Sequence, residues 1–178
     1  MKNAGADVLF PVSYLGDAIL LVKGLKQFGV KVAVVGGGAG YLVPEFLQQA
    51  GQEGAEGLFS VASWNWDLAF KGIDSFASRY KDKNGEFLME HAGEQYAMTW
   101  IAAAAIDKAA SADPAKVRDA LASLSLNDGD MGAWMPGGAI KFDQTGWNEK
   151  VHPVMVQWQS GAPRTVWPAS DAKTKPKL

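Results

Sequence analysis

Residues 34–44 read VVGGGAGYLVP. A β-branched pair runs into glycine, five of the six residues from 36 to 41 have almost no side chain, and a proline stands at 44. That order marks the carboxyl end of a buried strand, a loop, and the first turn of a helix. Three readings of the glycines stand side by side: a phosphate cradle, a rim where a ligand meets bare backbone, or a plain strand-to-helix turn.

The flanks extend the pattern. Residues 7–14 (DVLFPVSY) form a short apolar run that reads as a buried strand. Pro11 belongs at a strand end or edge, because proline donates nothing to a ladder. Residues 16–28 have helical spacing, with Ala18, Leu21, Val22, Leu25 and Phe28 on one face. Asp17 sits in the first turn, where the helix dipole favours a carboxylate, and Gly29 is a natural cap. Residues 31–35 are a second strand, 43–50 a second helix closed by Gly51, and 55–63 (AEGLFSVAS) a third strand. The result is a β-α-β-α-β unit and a parallel sheet, an α/β fold. Ligands of such sheets bind beyond the carboxyl ends of the strands. Ser13-Tyr14, residues 36–41 and Ser63-Trp64-Asn65 all leave those ends, so they share one rim that carries no lysine or arginine.

After Asn65 the rhythm changes. Residues 67–83 read as an amphipathic helix, broken by Gly85. Residues 91–110 (HAGEQYAMTWIAAAAIDKAA) form the strongest helix, and its centre at 97–106 is apolar on nearly every side except Thr99, which predicts burial. Asp113-Pro114 opens another helix to about Leu124. Residues 127–138 are a glycine-rich loop, 139–142 a short strand, and 152–159 and 164–167 a C-terminal hairpin turned by Ser160-Gly161. The tail from 169 to 178 reads as loose.

Composition narrows the function. The net charge of −2 argues against nucleic acid as an obligate partner. The absence of cysteine excludes thiol catalysis and disulfides. No apolar run is long enough to span a membrane, and the N-terminus has no signal-peptide pattern. The glycine run lacks the third glycine of a dinucleotide fingerprint and the lysine of a phosphate loop. His91 and His152 lack metal-ligand spacing and read as capping or surface residues. No G-x-S-x-G serine motif occurs, and the carboxylates on the helices read as solvated faces. The residues therefore point away from an enzyme and from any cofactor. Of seven tryptophans, Trp64 is the one placed near a ligand.

Taken together, GADVLFPVSY, VVGGGAGYLVPEF, AEGLFSVASWNWD, the helix with EQYAMTWIAAAAIDKA and the ending IKFDQTGWNEKVHPVMVQWQSGAPRTVWP resemble the C-terminal half of periplasmic solute-binding proteins of ABC transporters. The branched-chain amino acid-binding, type I group is the most similar. The resemblance implies two lobes closing on a small polar organic solute such as an amino acid, with no bond chemistry. It assigns 1–63 and 151–168 to the second lobe, 64–150 to the first, and 169–178 to a tail. It implies a ligand site of Ser13, Tyr14, Gly38, Ala39, Gly40, Tyr41 and Trp64, a membrane permease as partner and a periplasmic location. It also implies that Tyr14 lines the cleft and that Gly38 stands where amino-acid receptors carry an acid, a departure that speaks against an α-amino acid and favours a ligand with less positive charge or one read by backbone amides. The first-lobe segment and signal of such receptors do not precede Met1, so the chain reads as a fragment. Its bare alanine-rich helix would then drive oligomerisation or association with the missing half. Two other readings are a nucleotide- or cofactor-dependent α/β enzyme using the 36–40 loop, and a dimerising fragment with no ligand.

Overall fold

A computed structural model describes residues 5–127 and 129–177. Its centre is a five-stranded sheet in the order β1 (Val8–Leu9), β2 (Ala33–Gly36), β3 (Phe59–Ala62), β6 (Val154–Gln159), β7 (Ala162–Trp167). The first three strands run parallel, β6 runs antiparallel to β3, and β7 turns back antiparallel to β6. Helices α1 (Leu15–Gln27) and α2 (Pro44–Ala50) make the crossovers. A one-turn helix α3 (Gln52–Ala55), not expected from the sequence, leads into β3.

The first strand is shorter than its apolar run suggests. Pairing stops at Leu9, and Pro11 contributes only its carbonyl, which accepts from the Gly37 N–H at 2.8 Å. A single bridge, Val12 to Gly37, continues the register beyond it.

Between β3 and β6 lie α4 (Ile73–Asn84), α5 (Glu90–Ala109), α6 (Pro114–Ala122) and a small ladder of β4 (Ser125–Leu126) and β5 (Ile140–Lys141). A 3₁₀ turn, Met131–Ala133, lies in the loop expected over 127–138, whose residue 128 falls outside the described residues. Asp113 caps α6 by accepting from the Lys116 N–H at 3.1 Å. The predicted start of α4 at Asp67 is corrected. Asp67 is buried instead, accepting from the Thr165 hydroxyl at 2.5 Å and the Thr165 N–H at 3.1 Å, and Gly72 at φ 88° delays the helix to Ile73.

Two apolar clusters fill the molecule. One gathers Ala18, Ile19, Val22, Tyr41, Phe46, Leu58 and Trp158 between α1, α2 and the sheet. The other gathers Ala62, Trp64, Leu68, Ile73, Leu88, Ala97, Trp134 and Val156, joining the sheet to α4 and α5. Burial of α5 is one-sided: Gly93, Ala97 and Ala105 are buried, whereas Met98 (55%), Trp100 (43%) and Ile106 (47%) are exposed. The expectation of burial all round is thus corrected, because no described element covers that side.

The tail is not loose through its described part. Gln157, fully buried on β6, donates to the Lys177 carbonyl at 2.8 Å and accepts from the Lys177 N–H at 2.9 Å. Gln159 donates to the Lys175 carbonyl at 3.0 Å, and the Lys173 N–H donates to the Thr165 carbonyl at 3.0 Å. Side-chain amides here stand in for the backbone partners of a further strand.

Candidate functional site

The glycines of 36–40 answer to packing before anything else. A side chain on Gly36 would meet the Tyr41 ring at 2.5 Å, and one on Gly40 would meet the Tyr14 backbone at 2.6 Å. Gly38 has φ +85°, and a Cβ there would lie 3.0 Å from the Ser13 carbonyl oxygen. The loop after β1 and the loop after β2 therefore lie directly against each other. The Ser13 N–H donates to the Gly37 carbonyl at 3.1 Å, and the Ser13 hydroxyl and Tyr41 phenol are 2.7 Å apart. Burial pushes the Tyr41 phenol above its ordinary value, Asp17 adds to the effect, and the Ser13 hydrogen bond opposes it.

Beyond the ends of β2 and β3 this face opens into a groove of about 520 Å³. Gly38 and Ala39 form one wall, Val61, Ala62 and Ser63 the floor, Glu90 and His91 of α5 a second wall, and Trp147, Val151, His152 and Pro153 the remainder. Glu90 is fixed in the first turn of α5, where the dipole favours it. Its Oε1 accepts from the Ser63 N–H at 2.6 Å and from the Ser63 hydroxyl at 2.5 Å. Glu94, one turn on, also contacts that hydroxyl and stands 3.5 Å from His91. His152 is held by Asp171 of the tail at 2.7 Å. Asp143 shapes the turn before Trp147, accepting from its N–H at 3.0 Å. Bonds from Thr145 and Trp147 hold the Asp143 carboxyl below its ordinary value.

The expected site residues divide. Gly38 and Ala39 line the groove. Ser13 is half-buried beside the loop, and the Tyr14 ring is 79% exposed; neither lines the groove. Gly40, Tyr41 and Trp64 do not line the groove: all three are buried, and Tyr41 and Trp64 are wholly so. The Trp64 ring packs against Gly93 of α5, and its N–H donates to the Trp134 carbonyl at 2.8 Å. It braces the wall of the groove from behind. Glu90, His91, Trp147 and His152 were not expected at the site, because long segments of chain separate them from the first three strands.

A model of the periplasmic binding protein family matches residues 1–162. The chain belongs to that family. It is 30% identical over 183 residues to Leu/Ile/Val-binding protein homolog 7 of Brucella suis, covering 100% of this chain and 45% of that protein. The leucine binding protein LivK of Thermotoga maritima has the same fold, with a TM-score of 0.74 at 20% identity over 92% of this chain and 45% of its own. A fatty acid ABC transporter substrate-binding protein from Thermomonospora curvata superposes at 0.73 with 17% identity, over 97% and 45% of the two chains. The chain therefore spans about half the length of the curated relatives it matches. As a periplasmic binding protein chain, it has the sheet and partial type I fold that the sequence led one to expect, and the relatives named above are described as binding proteins.

Proposed function

We propose that this chain is the distal part of the solute receptor of an ABC transporter, and that a small organic solute is held against the groove between the 36–40 loop and α5. Residues 1–63 and 151–168 would be second-lobe elements and 64–150 first-lobe elements, so the groove lies where the two lobes face one another. The observation carrying this reading is the groove itself. It opens beyond the carboxyl ends of two parallel strands, it is walled by segments from both parts of the chain, and its floor is apolar. In a bilobed receptor, binding would be coupled to closure rather than to bond chemistry. A periplasmic location and a membrane permease as partner follow from the same reading, as does an amino acid or related compound as solute.

Thermal unfolding of the 178-residue chain with a panel of amino acids, short carboxylates and amines tests the proposal. A ligand at a hundred times its Kd stabilises by about 2.7 kcal/mol, which for a chain of this size raises Tm by roughly 5–10 °C. Ala39→Trp should abolish the shift by filling the groove without disturbing the fold. A shift that survives Ala39→Trp would place the solute elsewhere. Specific ATP or NAD binding in place of a small solute would favour the enzyme reading.

A further inference from the structure

The resemblance to amino-acid receptors leaves a gap at Gly38, the place of their acid. The geometry explains why no acid stands there: the left-handed backbone at Gly38 and the Ser13 carbonyl 3.0 Å from a Cβ leave no unstrained room for one. The groove is nonetheless not without a carboxylate. Glu90 lines it from α5, and no lysine or arginine does.

We infer that Glu90 is the residue that recognises a cationic group on the solute, and that Ser63 positions it for this; the inference rests on the solute-receptor reading above. Both Ser63 bonds fall on Oε1, which leaves Oε2 for a ligand donor. The Ser63 backbone N–H is fixed at the end of β3, so the carboxylate is tied to the sheet as well as to its own helix. A carboxylate held in this way loses little further freedom when it binds. Val61, Ala62, Val151 and Pro153 supply an apolar surface beside it. The groove thus suits a small molecule with an ammonium at one end and an apolar body at the other. Charge at Glu90 would select the first part and area would hold the second.

Titration calorimetry of the 178-residue chain with L-leucine, isoamylamine and isocaproate separates the contributions. These probes share one branched body and carry both charges, only the cation, or only the anion. Leucine and isoamylamine should bind, and Glu90→Gln should weaken both by roughly tenfold to a hundredfold, the value of a hydrogen bond to a charged group. Glu90→Asp should recover part of that loss. Glu53→Gln should leave the preference for amine over acid within about twofold, because Glu53 lies in α3, pairs with Lys26 and does not line the groove. A purely structural role for Glu90 would make Glu90→Gln weaken isoamyl alcohol, which has the same branched body and no charge, as much as isoamylamine, and that result would overturn the inference. So would retained amine affinity in Glu90→Gln. Binding of isocaproate without isoamylamine would overturn the role of Glu90 and leave the receptor reading standing. Binding of none of the three would count against both.

Discussion

Gly36 and Gly38 look equivalent in the sequence and are constrained differently in the fold. Gly36 has an ordinary backbone but no space, because the Tyr41 ring occupies the position of its side chain at 2.5 Å. Gly38 faces solvent, yet its φ of +85° disfavours any L side chain. Gly36→Ala must displace a fully buried ring that packs edge-on to Phe46 at 5.7 Å. It should cost about 1–3 kcal/mol, the range for overpacking. Gly38→Ala should cost about 1 kcal/mol for left-handed backbone. Urea unfolding of the two variants checks the order. A larger loss at Gly38 would mean that the loop cannot relax around Ser13.

At the scale of elements, the C-terminal tail and β6 are the informative pair. Alternation marks 152–159 as a strand, but Gln157 and Gln159 would then be expected to face water. Both are buried, and their amides bond the tail backbone at Lys175 and Lys177. Gln157→Leu fills a similar volume and leaves the Gly57 and Lys177 carbonyls and the Lys177 N–H without that partner. An unmet buried polar group costs about 1–3 kcal/mol, and some of these would regain water as the tail lifts. The expected outcome is a loss of about 2 kcal/mol and rapid trypsin cleavage after Lys173, which Thr174 follows. Cleavage at the wild-type rate would show that the tail stays docked without the amide.

For the whole molecule, the apolar surface left uncovered has a consequence in solution. Met98, Trp100 and Ile106 on α5 are between 43% and 55% exposed, and Phe10 and Val12 beside the β1 edge are 72% and 85% exposed. Exposed apolar surface of this kind favours association, and an open strand edge adds backbone donors and acceptors. The chain should sediment as a concentration-dependent oligomer, and Met98→Lys with Ile106→Lys should shift it toward monomer. A wild-type chain that remains monomeric at high concentration would refute this prediction.

Much of the fold was legible because it rests on local periodicity and punctuation. The α1 face, Pro44 at the start of α2, the Asp113-Pro114 cap and the Ser160-Gly161 turn each act over a few residues, and each element formed within a few positions of its expected place. The candidate site was legible only in part. Beyond-strand logic located Gly38 and Ala39 at the groove, but exposure of Tyr41 and Trp64 could not be read from their neighbours. Both rings turn inward because the fold brings Ser13 and Gly93 against them, contacts across 28 and 29 residues of chain. Glu90 reads locally as an ordinary helix-start carboxylate. Its second role depends on Ser63 lying 2.6 Å away across 27 intervening steps of sequence. The sequence by itself determined the order of strands and helices, since hydrophobic spacing and backbone restriction act locally. Only the tertiary structure decided which side chains meet at the groove, because that depends on how distant segments pack.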